Sequence, residues 1–326
     1  MQKRIADIRE DNRQLLLQIE GMLLMILLKN RQRKLIRDID LCGAERERKG
    51  QEIERSLRRL ESSLQIPSDD PHTDTAGYKA LLDQAFHDFV NIHEKPYIMT
   101  WGRFSEDAMC SSWLNSATSQ VLVVSGKTSD EVNHTTLSWL SYAPTLFANR
   151  VEQEGKPLIT AYYYCQTKST LPPRHRPLFK DVLKSWMYQI AEAAPDSFLG
   201  CMQNLETAFP HDSWRSDRVL ESLDKLLGTF KDLLSELEEC IPVTLLLDRV
   251  DQCRLHSDED RRGEYSAMDT GFIIEWLVKL VLATPRRVRV LLTRRPPVGE
   301  PCFLSPTMKR ATDQGVYRER NHWDQW

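Results

Sequence analysis

The sequence lacks an apolar run that is long enough to cross a membrane. Its most apolar run, Leu15–Leu28, reaches only about two-thirds of the roughly 20 residues that a spanning helix needs, and Gln18 and Glu20 interrupt it. Acidic residues precede this run and no small-residue cleavage site follows it, which argues against a secretory signal. The sequence therefore predicts a cytoplasmic protein without a membrane span.

The sequence also lacks an excess of charge of one sign and closely spaced pairs of cysteines. The 326 residues contain 44 Lys and Arg against 47 Asp and Glu, so a net charge of −3 creates no overall field that would attract nucleic acid or an anionic membrane. The seven cysteines are scattered without a CxxC pair, which argues against a disulfide framework or a zinc site and suits a reducing compartment. No repeat period is visible either. We therefore expect no nucleic-acid partner.

What is present begins with a helical seam in residues 1–66. Apolar residues recur at alternating steps of three and four over Ile5–Ile26, and the same spacing returns over Ile53–Leu64. This pattern is typical of a coiled coil or a long amphipathic helix. With a break near Gly43, it predicts an α-helical coiled-coil arm that folds back as a hairpin, self-associates or captures a partner helix.

The rest of the chain has the pattern of an α/β domain. Residues 67–111 are interpreted as a linker and a lead-in helix, because their first part is rich in Pro, Asp, Thr and Ser. Residues 112–301 alternate apolar runs with amphipathic segments, and residues 302–326 are interpreted as a polar tail. The alternation predicts a parallel sheet with helices on both faces. The four predicted strands are Val121–Val124, Leu158–Tyr164, Val243–Leu247 and Val288–Leu292.

Polar residues follow three of these predicted strands. Because the ligand crevice of a parallel α/β sheet lies beyond the carboxyl ends of its strands, these residues are candidates for a binding site. A glycine loop for phosphate, a strand-end aspartate for magnesium and a strand-end arginine facing the phosphates together favour a P-loop NTPase-like sheet. In chain order the candidates are Ser125-Gly126-Lys127, then Asp248 with Asp251 and Gln252, then Thr293-Arg294.

The same segments resemble the NACHT-type STAND ATPases of filamentous fungi, including the nephrocystin-like group. The resemblance covers roughly Ser112–Pro301, and its segments follow in the family's order: VLVVSGK, TTLSWLSYAP, PLITAYYYC, SWMYQIAEAAPDSF, PHDSW, VTLLLDRVDQ and VLLTRRP. It implies ATP or GTP as the ligand, bound with magnesium. The residues implied at the nucleotide are Gly126, Lys127, His134, Thr135, Thr136 and Arg294, and those implied at the metal are Thr135 and Asp248.

The phosphate loop departs from the pattern GxxxxGK[ST]. Asn133 stands where the second glycine belongs and His134 where the lysine belongs, while Thr135 keeps the magnesium-ligand position. Asp130 and Glu131 add two carboxylates to a loop that should hold an anion. One lost charge-assisted contact weakens binding by about 1.5–3 kcal/mol, which is roughly tenfold to a hundredfold. The loop is therefore expected to be degenerate.

The acidic site departs as well, because Gln252 occupies the place of a family glutamate and an amide is not a general base. Asp251 remains as the candidate base. The resemblance also implies closing elements after the last strand, and the polar tail is not expected to supply them. Three interpretations stay open: a degenerate, non-catalytic signalling or interaction module; a weak or conditional ATP or GTP binder or hydrolase using Thr135, Asp248 and Arg294; and a coiled-coil adaptor with a relic NTPase domain. The sequence favours the first.

Overall fold

The structure is a computed structural model in which the chain divides into two compact units, Met1–Arg55 and Ser56–Trp326. Within the first unit the described residues are helical, and every residue of the predicted seam over Ile5–Ile26 lies outside them. The coiled-coil arm therefore stays a prediction. Besides Met25, Lys29 and Arg31, the structure describes residues 45–66, 72–90, 100–126, 139–154, 158–165, 176–198, 219–237, 241–255, 267–294 and 305–323.

Parallel strands form the sheet of the second unit. They are β1 (Gln120–Gly126), β2 (Ile159–Tyr164), β3 (Val243–Asp248), β4 (Val288–Arg294) and β5 (Tyr317–Trp323). Their order across the sheet is β2-β3-β4-β1-β5, and every neighbouring pair is parallel. The first four coincide with the predicted apolar runs, which confirms the parallel α/β sheet. The fifth lies in the polar tail, where the sequence predicts no strand.

Helices pack on both faces of this sheet, as predicted. In chain order they are α1 (described residues 45–64), α2 (Thr75–Val90), α3 (Trp101–Glu106), α4 (Ala108–Asn115), α5 (Tyr142–Glu154), α6 (Phe179–Ala193), α7 (Val219–Glu236), α8 (Ala267–Ala283) and α9 (Pro306–Asp313). One face carries α6 to α9 and the other carries α2 to α5. Right-handed crossovers explain this division, because the connection from β1 to β2 crosses the sheet in the opposite direction to the later ones.

Alternation along β1 divides the apolar core into two layers. Val121 and Val123 belong to the layer that contains α6 to α9, and Leu122 and Val124 belong to the layer that contains α2 to α5. This is the two-residue period of a strand. Because both layers are apolar, the central strands are rich in apolar residues, and for that reason their positions could be predicted from the sequence.

Arginines at the amino edge of the sheet cap the end of α4. The Nη1 atom of Arg289 donates to the Leu114 carbonyl oxygen at 2.7 Å, and Arg287 donates to the Ser116 carbonyl oxygen. The guanidinium of Arg289 also lies 5.4 Å from the centre of the Trp113 ring. The last carbonyl groups of a helix have no intrahelical donors, so these arginines satisfy them and complement the negative helix end. The contacts fix α4 against the sheet.

Candidate functional site at the carboxyl edge of the sheet

The carboxyl edge of the sheet brings several of the predicted positions together. Ser125 of β1 is paired in register with Arg294 of β4, Gly126 ends β1, and Asp248 at the end of β3 contacts Thr293. The onward connections of the neighbours β1 and β4 cross the sheet in opposite directions, so this edge is a topological switch point. The remaining predicted nucleotide-binding residues lie outside the described residues: Lys127, His134, Thr135 and Thr136.

Asp248 is fully buried, and hydroxyl groups surround its carboxylate. Tyr78 donates a hydrogen bond to Oδ2, and Thr293 donates one to Oδ1. Burial raises the pKa of Asp248 above its ordinary value, while the hydrogen bonds that it accepts oppose the rise. With an exposed fraction of 0%, the side chain offers no surface to a ligand.

Tyr78 comes from α2, in the segment interpreted as a linker. The turn that begins α2 is held by Asp74, whose Oδ1 accepts from the Gly77 amide at 2.9 Å and whose carbonyl oxygen accepts from the Tyr78 amide at 2.9 Å. The Tyr78 ring stacks on Tyr164 with 4.1 Å between ring centres. Burial and the neighbouring Asp248 raise the pKa of Tyr78 well above its ordinary value, so the phenol stays protonated and donates a hydrogen bond.

Arg249 follows Asp248 and turns the chain back on itself. Its φ of 57° and ψ of 54° are left-handed, which is uncommon for a residue with a side chain. Its Nε lies 3.0 Å from Oδ1 of Asp251 and its Nη2 lies 2.7 Å from Oδ2, which makes a bidentate ion pair. Burial alone would lower the pKa of Arg249, but Asp251 raises it above its ordinary value. Gln252 donates to the same carboxylate at 2.9 Å.

Arg294, the predicted phosphate-facing arginine, is paired within the protein. Its Nε donates to the Ser125 hydroxyl at 3.0 Å, and its Nη2 forms an ion pair with Glu319 of β5. Both side chains of the pair are only 9% exposed. The other carboxylate oxygen of Glu319 accepts from the Tyr317 hydroxyl at 2.8 Å. The charge of Arg294 is therefore compensated by the tail.

The described residues at this edge do not fit a bound magnesium ion. Magnesium requires a nearly octahedral shell of oxygen ligands, several of them water. Each oxygen of Asp248 instead accepts a hydrogen bond, and no water can reach a side chain without exposed surface. In the described part of the chain, no group of three or more His, Cys, Asp or Glu could hold a metal ion.

Sequence reasoning missed three residues that close this edge: Tyr78, Arg249 and Glu319. A buried arginine requires a counter-charge, so the placement of Arg294 at a buried strand end signals that some acid must lie nearby. That signal does not say which acid, because Glu319 lies in a segment interpreted as tail. No sequence signal identifies Tyr78, which is 170 positions away from Asp248.

Residues 99–295, more than half of the chain, match the family described as nephrocystin 3, N-terminal. The chain belongs to the nephrocystin 3 N-terminal family. This confirms the nephrocystin-like part of the resemblance. The nephrocystin 3 N-terminal match contains Asp248, Asp251 and Arg294 but neither Tyr78 nor Glu319. Two of the side chains that close the edge therefore lie outside the segment that the family shares.

The chain also has a low similarity to a solved structure. A chain of the E. coli MS115-1 HORMA:CdnC:Trip13 complex is similar at 15% sequence identity, with a TM-score of 0.23. The similarity covers 75% of this chain and 65% of that chain, which is less than two thirds of its length. No curated protein matches the sequence. Among the residues that the structure describes, no helix combines the length and the apolar character that crossing a bilayer requires.

Proposed function

We propose that this nephrocystin 3 N-terminal domain is a degenerate STAND-type relative of the P-loop NTPases that acts as a non-catalytic, cytoplasmic interaction module. The observation that carries the proposal is the state of Asp248, the predicted magnesium ligand: it is fully buried, and both of its oxygens accept hydrogen bonds from the protein. The switch point between β1 and β4 supports the P-loop relationship, since the predicted phosphate loop follows β1 at that point.

Other groups that phosphoryl transfer would use are engaged as well. Transfer depends on positive charge placed against the phosphates, and a comparable arginine accounts for about 10³–10⁵ in kcat in GTPases. Here the charge of Arg294 is compensated by Glu319. Asp251, the candidate base, is held by Arg249, and the amide of Gln252 cannot accept the proton of an attacking water. The described edge therefore favours a non-catalytic role over weak hydrolysis.

A hydrolysis assay tests this part of the proposal. The purified full-length chain, given ATP or GTP with Mg²⁺, should release phosphate no faster than a protein-free blank. Asp248→Asn is the matched control, because asparagine keeps the size of the side chain and one acceptor oxygen. Wild type and control should give the same rate. Steady turnover by the wild type that Asp248→Asn abolishes would overturn the non-catalytic proposal and favour the weak hydrolase.

The interaction part of the proposal rests on the apolar seam of the predicted arm. Apolar residues recur there at alternating steps of three and four, and such seams are usually covered by a second helix. We propose that the partner is a second copy of the chain or a helix of another protein.

Sedimentation of the full-length chain tests self-association. The wild type should sediment as a dimer or larger species, and Leu15→Asp combined with Ile19→Asp should sediment as a monomer, because a charge in the seam opposes pairing. Arg13→Asp, which lies off the seam, is the control and should keep the wild-type mass. A wild type that is monomeric at high micromolar concentration would contradict self-association and support the hairpin.

A further inference from the structure

The segment His72–Tyr78, called the strap from here on, lies across the carboxyl ends of β2 and β3. Its first residue is joined to β2 by a reciprocal pair of hydrogen bonds. The Nδ1 atom of His72 lies 2.6 Å from the carbonyl oxygen of Tyr164, and the Tyr164 amide donates to the His72 carbonyl oxygen at 2.9 Å. The last residue of the strap reaches Asp248 at the end of β3. The strap therefore bridges two neighbouring strand ends.

Aromatic contacts reinforce this position. The ring of His72 stacks on Tyr163 with 5.0 Å between ring centres, while the ring of Tyr78 stacks on Tyr164. The Tyr164 hydroxyl also donates to Oγ1 of Thr75 at 3.2 Å. These contacts place the Tyr78 hydroxyl directly against the Asp248 carboxylate, where a hydrogen-bond donor compensates the buried acid.

We propose that the strap is an intramolecular ligand of the carboxyl edge, and that the Tyr78 hydroxyl takes the place that a cation would occupy at Asp248. This inference rests on the proposed function, because it explains how the domain closes its own site. It follows from the misfit described above: a buried carboxylate needs positive or donor groups around it, and here the donors are Tyr78 and Thr293.

The strap has the exposure pattern of a ligand rather than of a core element. Only Tyr78 is buried, whereas the residues between His72 and Tyr78 are exposed or half-buried. A segment with a single buried side chain opens locally at a free energy below that of global unfolding. Removing the Tyr78 hydroxyl, one of several contacts of the strap, should therefore weaken its attachment without unfolding the sheet.

The first experiment removes only the hydroxyl of the anchor. Tyr78→Phe should lower the thermal midpoint of the full-length chain by about 2–6 °C, because Asp248 loses a donor while remaining buried. It should also speed hydrogen exchange at the Tyr164 amide about tenfold, since that amide is bonded to the strap. The control is Tyr142→Phe, whose hydroxyl donates to the exposed Asp83 at 2.8 Å. It should change neither quantity appreciably.

The second experiment asks whether a cation can replace the phenol. Lysine and methionine have similar length and both lack the aromatic ring, so they differ at position 78 mainly in the terminal ammonium. Tyr78→Lys should unfold at a higher temperature than Tyr78→Met, and adding Asp248→Asn to both should reverse this order, because the buried ammonium then lacks a counter-charge. Neither Mg²⁺ nor EDTA should shift the wild-type midpoint, because the position at Asp248 is already filled.

Several results would overturn the proposal that the strap is an intramolecular ligand. A Tyr78→Phe variant with wild-type midpoint and exchange would show that the hydroxyl is not a ligand. A Mg²⁺-dependent rise of the wild-type midpoint that Asp248→Asn abolishes would show that Tyr78 does not take the cation's place. Global unfolding of Tyr78→Phe would show that the Tyr78 hydroxyl is required for the fold as a whole and not only for closing the edge. The hydrolysis rate of the wild type is a separate measurement that does not depend on these variants. Failure of the proposal about the strap and failure of the proposed function are therefore distinguished.

Discussion

The two edges of the parallel sheet use charged side chains in different ways. At the amino edge, Arg287 and Arg289 donate to main-chain carbonyl oxygens at the end of α4, so their role is to cap a helix. At the carboxyl edge, Arg249 and Arg294 form ion pairs with carboxylates. The amino edge holds a helix in place, whereas the carboxyl edge compensates its own charges.

This difference shows that the described part of the carboxyl edge is organised by contacts within the protein. A binding site keeps a few convergent polar groups available to its ligand. At the carboxyl edge those groups are instead bonded to residues that arrive from before and after the shared family segment, Tyr78 from α2 and Glu319 from β5. Asp248 and Arg294 occupy the predicted positions, and their partners within the chain determine what they can do.

Breaking the carboxyl edge at Glu319 should have the largest effect. Glu319→Ala leaves the guanidinium of Arg294, which is only 9% exposed, without its counter-charge. Removing one partner of a buried ion pair costs about 3–5 kcal/mol, so the free energy of unfolding in urea should fall by that order. Arg294→Met combined with Glu319→Leu should recover most of the loss, because it removes both charges and keeps apolar volume.

The matched control for Glu319→Ala is a substitution in the neighbouring ion pair of β5. Arg320 lies 3.2 Å from Asp107, but its side chain is 44% exposed. Arg320→Ala should therefore cost less than about 1 kcal/mol. If Glu319→Ala cost no more than Arg320→Ala, β5 would not be closing the edge, and the contrast between the two edges would lose its main support.

The sheet itself could be predicted from the sequence, because strands that are buried on both faces need runs of apolar residues. Val121–Val124 is a continuous apolar run, and only Thr244 interrupts Val243–Leu247, as expected for strands covered on both sides. Their ends must meet at one edge in any parallel sheet, so the proximity of Asp248 to the ends of β1 and β4 also followed from the sequence. The family resemblance sharpened the same prediction.

The partners of these residues were not predictable because they depend on contacts distant in sequence. β5 reads YRERNHW and has no apolar run, since it is an edge strand whose Arg318 donates to Ser112 at 2.8 Å and whose Glu319 meets Arg294. Tyr78 is one tyrosine in a segment with the composition of a linker. The left-handed turn at Arg249 likewise lacks the glycine that would have marked it.

A substitution at the amino edge should change the free energy of unfolding less than Glu319→Ala does. Burial and the neighbouring Arg287 lower the pKa of Arg289 to about 10. At pH 7, well below that value, Arg289 is fully charged, so the whole cost of burying its charge lowers the free energy of unfolding.

Arg289→Met removes this cost, and it also removes the hydrogen bond to Leu114 and the contact with the Trp113 ring, each worth about 0.5–1.5 kcal/mol. Because the gain and the losses oppose each other, the free energy of unfolding at pH 7 should change by less than about 1 kcal/mol. Urea unfolding of Arg289→Met beside Glu319→Ala measures the difference directly. A loss of about 3 kcal/mol or more in Arg289→Met would show that the amino edge needs its charge as much as the carboxyl edge does.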